Sequence, residues 1–123
     1  MKQGILTTRR WLRRLVDSFY SKNWKEMGSF GSDSVWNIYT ANLGQNSIIY
    51  SAGVGKDISF EIQLIHDFHC QVYLFDPSPT GIQTIALPVN HVPGLVFNPV
   101  GLAGQDGPQV FSLPRNPEEG SYS

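Results

Sequence analysis

Two short apolar runs stand out in the pattern of hydrophobic and polar positions along the chain. Residues 47–51 are apolar at their three central positions, and Gln71–Phe75 (Gln-Val-Tyr-Leu-Phe) is apolar after its first residue. Runs of this kind are typical of strands in a parallel sheet whose faces are covered by helices. We therefore predict two parallel strands here and an α/β fold.

The segment between these strands supports two interpretations. Its apolar residues alternate with polar ones, which by period alone suggests a strand, at Ile58, Phe60, Ile62 and Leu64. At 100° per residue, however, these four residues form one continuous apolar arc together with Ile65 and Phe68. A crossover between parallel strands is nearly always a right-handed helical unit, and Asp57 is suited to cap a helix at this point. We predict a helix, on which Glu61 falls inside the apolar arc and faces the turn after the first strand.

The remaining predicted elements lie on both sides of this unit. Leu12, Leu15, Val16 and Phe19 follow helical spacing, which predicts an amphipathic helix over residues 8–20 with a basic outer face. The composition of residues 21–34 predicts a loop, and residues 35–39 a short extended piece. We assign residues 1–34 to an amino-terminal helix and loop, and residues 35–123 to the core domain.

Beyond the second strand, the sequence predicts a short helix over 82–87 and a third strand over 94–103, in which Pro99 requires an edge or irregular position. Glycines at 104 and 107 predict a hairpin, with a return strand that begins at Val110 and Phe111. The polar tail from Arg115 is predicted to be disordered.

Charge and composition narrow the classes of function. The net charge is −1 and apolar residues make up 41% of the 123, without an apolar run of the roughly 20 residues that a membrane span requires. Seven of the nine cations lie in the first 26 residues, but Arg9 and Arg10 are not followed by the apolar stretch of an export signal. With its single cysteine, Cys70, the chain is predicted to be cytoplasmic, to have no transmembrane segment and to bind no nucleic acid.

A glycine turn carries the strongest chemical signal. Gly53-Val-Gly55 follows the first strand, and Asp76 closes the second strand 21 residues after Gly55. Paired glycines before a helix and an acid at the tip of the next strand are typical of a site for a nucleoside-bearing cofactor. The third glycine of a dinucleotide site is replaced by Ile58, and Asp57 places negative charge where a pyrophosphate needs donors. A cofactor without phosphate is therefore favoured.

Two longer strings resemble a known family. Tyr50-Ser-Ala-Gly-Val-Gly-Lys-Asp-Ile-Ser-Phe-Glu61 and Val72-Tyr-Leu-Phe-Asp-Pro-Ser-Pro79 are similar to the cofactor motifs of FkbM-type, class I S-adenosylmethionine-dependent methyltransferases. The resemblance covers roughly residues 35–123 and implies a Rossmann-like parallel sheet of the methyltransferase type. It implies that the backbone at Gly53, Val54 and Gly55 approaches the methionine part of the cofactor, and that Asp76 accepts hydrogen bonds from the ribose.

This sequence departs from the broader pattern of the class at two positions. Ser51 stands where an acidic residue commonly begins the first motif, and Asp57 replaces its last glycine. Either Asp57 or Glu61 is expected to supply the missing negative charge. The predicted cofactor-binding residues are Ser51, Gly53, Val54, Gly55, Asp57, Glu61, Asp76 and Pro77.

The chain supplies strands one to three and one hairpin of a domain that is longer in the family. We therefore expect an amino-terminal fragment that is weakly active or inactive alone, acts on a small-molecule or sugar acceptor, and can self-associate through an open sheet edge. The sequence identifies no catalytic base. His66, His69 and Cys70 match no closed zinc set, so no metal site is predicted. The alternatives are a Rossmann enzyme that binds NAD or a nucleotide sugar, and a non-catalytic interaction module.

Overall fold

The computed structural model describes residues 12, 15–16, 18–19, 21–29, 34–110 and 112. Its strands and complete helices form a mixed α/β arrangement. In chain order they are β1 (Trp24–Met27), β2 (Trp36–Tyr39), β3 (Ile48–Ala52), α1 (Ser59–Phe68), β4 (Gln71–Phe75), α2 (Pro79–Ala86), a 3₁₀ turn (Pro88–Asn90) and β5 (Leu95–Asn98).

A three-stranded parallel sheet in the order β3-β4-β5 confirms the α/β prediction. Ile49 lies opposite Val72, and Val72 lies opposite Leu95, so these side chains share one face of the sheet. Both β4 residues on this face, Val72 and Leu74, are fully buried. The arrangement is compatible with part of a Rossmann-like fold, and the methyltransferase class of that fold stays a prediction.

Helix α1 confirms that the crossover is helical. The helix starts at Ser59, with Ile58 at the N-cap position, so the prediction that Asp57 is the N-cap was wrong by one residue. The Asp57 side chain still performs a capping role, because its Oδ1 accepts a 2.8 Å hydrogen bond from the Ser59 N–H. At the other end His69 adopts a left-handed conformation, φ 54°, and its N–H donates to the Ile65 carbonyl.

A second sheet pairs β1 antiparallel with β2, and it corrects the predicted loop over 21–34. The four residues of β1, Trp-Lys-Glu-Met, have little apolar periodicity, so the strand is formed through pairing with the predicted extended piece and through burial of Met27. The strand pairing crosses the predicted boundary between residues 34 and 35. The described residues between Leu12 and Asn23 are helical, as predicted, and the helix extends beyond residue 20.

The structure shortens the third strand and does not contain the predicted hairpin in its described part. β5 ends at Asn98, directly before Pro99, whose missing N–H cannot continue a ladder. Residues 99–110 are irregular, and Val110 is 99% exposed, so the apolar positions flanking the turn have nothing to pack against. Helix α2 begins at Pro79 rather than residue 82. Phe111 and the tail from Arg115 lie outside the described residues.

Two clusters of buried apolar side chains hold these elements together. One contains Met27, Leu64, Cys70 and Val72 and is drawn from β1, α1, the loop before β4 and β4. The other contains Val54, Ile58 and Leu74, below the glycine turn. Leu95 of β5 packs against both clusters and links them. No helix within the described residues is long and apolar enough to span a membrane.

Candidate functional site

The glycine turn lies at the carboxyl end of β3, beside the carboxyl end of β4. Gly53 and Gly55 have φ angles of 89° and 57°, which L side chains rarely adopt. A Cβ built at either glycine would meet no atom within 4 Å. The glycines are therefore required by the backbone conformation, and the space next to them is open to a ligand.

The backbone donors of this turn point into the protein. The Gly53 N–H donates to the Phe75 carbonyl at 2.9 Å, and the Val54 N–H donates to Asp76 Oδ2 at 2.7 Å. A phosphate that approached the turn would find the Gly53 and Val54 donors already paired, in contrast to the exposed N–H groups of phosphate-binding loops.

Asp76 ties the turn after β3 to the turn after β4. It is buried, and besides the Val54 N–H it accepts a 2.7 Å hydrogen bond from the Ser78 N–H. Burial raises the pKa of Asp76, but hydrogen bonding to Ser78 and the glycine turn outweighs that effect and holds the pKa below the ordinary value of 3.8. A carboxylate has about four lone-pair positions, and one on each oxygen of Asp76 is occupied by a backbone donor.

Three further residues contact Asp76 or the glycine turn, and none of them was among the predicted site residues: Ser78, Gly81 and Thr84. Ser78 caps α2, since its hydroxyl accepts the Gly81 N–H at 3.0 Å, and Pro79 follows at the first helical position. A Cβ at Gly81 would lie 2.5 Å from Asp76 Cγ, so only glycine lets the helix approach the carboxylate. Thr84 Oγ1 donates to the Gly55 carbonyl at 2.7 Å. The sequence signal available for them was the Ser78-Pro79 pair, which is typical of the start of a helix.

A second carboxylate lies under the turn. Glu61 points inward from α1, as predicted, and its Oε1 accepts a 2.7 Å hydrogen bond from the Ser51 hydroxyl of β3. Burial raises the pKa of Glu61 above its ordinary value of 4.5. The Ser51 hydrogen bond opposes this shift, and the nearby charge of Asp57 adds to it. Either Asp57 or Glu61 was expected to supply the negative charge that is absent at position 51. Ser51 itself is hydrogen-bonded to one of these two acids, Glu61.

The structure brings most of the predicted site residues together. Ser51 and Glu61 contact each other directly, Asp76 contacts the glycine turn through the Val54 N–H, and Asp57 accepts a hydrogen bond at the start of α1. The Val54 side chain is buried in the core, so only its backbone belongs to the turn. Pro77 is exposed and has no described hydrogen bond to the turn. Ile58, at the third glycine position of a dinucleotide motif, is 1% exposed and packs in the core.

This arrangement presents an open turn in which the Gly53 and Val54 N–H groups are already paired, together with two buried carboxylates, Glu61 and Asp76. Such a site favours a ligand that carries positive charge or hydroxyl donors over one that carries phosphate. No protein-family model, curated protein or solved structure matches the chain.

Proposed function

We propose that the glycine turn binds S-adenosylmethionine and that the chain is the cofactor-binding part of an FkbM-type methyltransferase. The observation that carries this proposal is the pairing of the Gly53 and Val54 N–H groups with acceptors of the protein. S-adenosylmethionine contains no phosphate and has positive sulfonium and ammonium groups, so it does not need those donors. Its positive charge gains from nearby carboxylates.

Glu61 is the carboxylate proposed to complement that charge. It lies in the first turn of α1, is buried, and is already hydrogen-bonded by Ser51. A cation beside it would favour the ionised form and offset the effect of burial on its pKa. The bound cofactor would supply a methyl group to an incoming nucleophile, and the protein would contribute position and orientation.

Asp76 is proposed to contact the ribose through its remaining lone-pair positions. Its two backbone donors, the Val54 and Ser78 N–H groups, are fixed by the two turns and occupy one position on each carboxylate oxygen. A ribose hydroxyl would donate to a second position, and the backbone hydrogen bonds would remain. The methyl acceptor is proposed to be a small molecule or a sugar.

Titration calorimetry tests the proposal directly. We expect S-adenosylmethionine and S-adenosylhomocysteine to bind and NADH not to bind. Glu61→Gln should weaken S-adenosylmethionine more than S-adenosylhomocysteine, which lacks the sulfonium charge. Asp106→Asn, which makes the same charge change at an exposed position, is the control and should bind both ligands like the parent.

Two results would contradict the proposal at different points. Tight NADH binding would favour the dinucleotide alternative over a sulfonium nucleoside. Unchanged S-adenosylmethionine affinity in Glu61→Gln would remove Glu61 from the site but leave the cofactor assignment standing.

A further inference from the structure

One face of α2 contacts both halves of the candidate site. Gly81 and Thr84 are buried residues of this helix, and because they are three positions apart they lie on the same face. Gly81 packs against the Asp76 carboxylate, and Thr84 contacts the Gly55 carbonyl. The helix therefore touches the turn after β3 and the turn after β4 with two neighbouring residues.

The Thr84 hydroxyl holds the Gly55 carbonyl in place. It lies 2.7 Å from that oxygen and 3.0 Å from the Thr80 carbonyl of its own helix. A hydroxyl has one proton, and the shorter contact has the usual length of an O–H···O hydrogen bond. Any helical threonine can bond back to its own helix, whereas the contact with Gly55 requires the glycine turn at this place. Because Thr84 is only 6% exposed, water has little access to replace this hydrogen bond.

Gly81 allows α2 to approach the Asp76 carboxylate closely. A Cβ at this position would lie 2.5 Å from both Cγ and Oδ2 of Asp76, far inside ordinary van der Waals contact. Oδ2 is also the atom that accepts the Val54 N–H of the glycine turn. A side chain at position 81 would therefore displace the oxygen that joins the two turns.

Both ends of α2 are anchored, so the position of this face is fixed. The Ser78 hydroxyl caps the first turn by accepting the Gly81 N–H at 3.0 Å. At the other end, Asn90 Nδ2 donates to the Thr84 carbonyl at 2.7 Å, and Ile85 packs against the buried cluster below the glycine turn. A support that is held in this way keeps a binding constellation in a defined geometry.

We propose that the face of α2 that carries Gly81 and Thr84 positions the two turns for the cofactor. Thr84 places the glycine turn, through Gly55, for the methionine part of the ligand. Gly81 places Asp76 for the ribose. This assignment rests on the proposed function, which supplies the part of the cofactor that each turn contacts. Both are positioning residues, and neither is proposed to touch the cofactor.

Titration calorimetry with two ligands separates the role of Thr84 from that of Gly81. Thr84→Val replaces the hydroxyl by a methyl group, and carbon–oxygen contacts are about 3.3–3.6 Å long, so the Gly55 carbonyl has to move away. We expect Thr84→Val to bind S-adenosylhomocysteine about tenfold more weakly than the parent. Adenosine, which lacks the methionine part, should bind both equally well. Thr84→Ser keeps the hydroxyl and should restore the affinity for S-adenosylhomocysteine.

Thr40→Val is the matched control for this substitution. Thr40 is likewise buried, at 7% exposure, and its hydroxyl donates to the Asn23 carbonyl at 2.9 Å. Thr40→Val therefore makes the same chemical change at a buried threonine outside the candidate site. It should lower the stability of the protein and leave the affinity for both ligands unchanged.

Gly81→Ala should weaken the binding of both ligands, because it displaces Asp76 itself. We expect a loss of about tenfold for adenosine and for S-adenosylhomocysteine, although alanine is the better helix former. Gly44→Ala is the control. A Cβ at Gly44 would meet no atom within 4 Å, and the φ angle of Gly44 is not positive, so binding should be unchanged.

Amide hydrogen exchange of the ligand-free protein distinguishes this proposal from the proposed function. Thr84→Val should accelerate exchange of the Gly53 and Val54 N–H groups, because the turn that holds them loses a support. Thr40→Val should not accelerate it. If this difference is observed but the parent binds neither ligand, the cofactor assignment fails and the positioning of the glycine turn by Thr84 stands.

The proposal is overturned if folded Thr84→Val binds S-adenosylhomocysteine like the parent, or if Thr40→Val weakens this ligand equally. It is also overturned if Thr84→Val weakens adenosine as much as S-adenosylhomocysteine, or if folded Gly81→Ala binds adenosine like the parent. Should Thr84→Val fail to fold, Thr84→Ala replaces it in the same comparison, since it removes the hydroxyl without adding a methyl group beside the carbonyl.

Discussion

Asp76 is the residue on which the two turns of the candidate site depend. Its oxygens accept hydrogen bonds from the Val54 and Ser78 N–H groups, and Gly81 packs against its Cγ. The carboxylate therefore fixes the geometry of the glycine turn whether or not it also contacts a ribose. This role explains why an acid ends an apolar strand at this position.

Asp76→Asn should lower the free energy of unfolding by about 2–4 kcal/mol. An amide has one carbonyl oxygen, so its NH₂ group would face either the Val54 N–H or the Ser78 N–H, and that buried donor would lose its acceptor. Urea denaturation followed by circular dichroism measures the loss. Asp106→Asn should change the stability by no more than about 0.5 kcal/mol. A similarly small change in Asp76→Asn would contradict the structural role.

Whereas the Asp76 carboxylate stabilises the folded protein, the ionised Glu61 carboxylate is expected to destabilise it. Because its pKa is raised in the folded protein, the folded state binds a proton more strongly than the unfolded state. Its contribution is therefore least unfavourable below pH 4.5 and becomes more unfavourable as the pH rises through the folded pKa. Glu61→Gln, which can still accept from Ser51, should be more stable than the parent at neutral pH. The difference should shrink at pH 4 in parallel urea titrations, and a difference independent of pH would exclude this ionisation as its cause.

At the residue scale, the sequence predicted which groups meet but not how they are used. The spacing of Gly53, Gly55 and Asp76 correctly placed them at adjacent strand ends, because parallel strands joined by a helix align their carboxyl ends. The pairing of Asp76 with backbone donors could not be predicted, since it depends on the positive φ angles of the glycines and on the close approach of Gly81.

At the scale of elements, hydrophobic periodicity alone did not distinguish a helix from a strand in the crossover, and the topology of the parallel sheet did. The crossover between β3 and β4 has a strand-like alternation, yet it forms α1, because a parallel pair requires a long connection and Asp57 caps its start. The predicted hairpin at 104–107 was wrong because turn chemistry cannot form a strand pair without a buried face beside it. β1 was not predicted, because its four residues form a strand only through pairing with β2 and through packing against the core.

Met27→Ala tests whether β1 belongs to the core. Met27 is 1% exposed and packs with Leu64, Cys70 and Val72. Truncation should lower the free energy of unfolding by about 2–5 kcal/mol, whereas Met27→Leu should cost less than about 1.5 kcal/mol. Denaturant titration of both variants provides the comparison. If Met27→Ala were as stable as the parent, β1 would be an appendage rather than part of the packed structure.

At the scale of the whole molecule, the helices cover one face of the parallel sheet and leave Tyr50, Tyr73 and Phe75 on the other. Below the covered face, the two apolar clusters share Leu95. We infer that the site and the β1 region unfold together, because loss of either cluster removes packing from the same strand. This coupling could not be predicted from the sequence, because it arises from the position of β5 beside β4.

The thiol of Cys70 reports on this cooperativity. It is buried, its Sγ donates to the Leu64 carbonyl at 3.4 Å, and burial raises its pKa, so it should react with a disulfide reagent only when the structure opens. Met27→Ala perturbs the cluster that contains Cys70, whereas Asp76→Asn perturbs the turn above the other cluster. If the molecule opens as one unit, both variants should accelerate labelling by the factor that corresponds to their loss of stability, roughly 30-fold for 2 kcal/mol. Acceleration by Met27→Ala alone would instead indicate that the two clusters open independently.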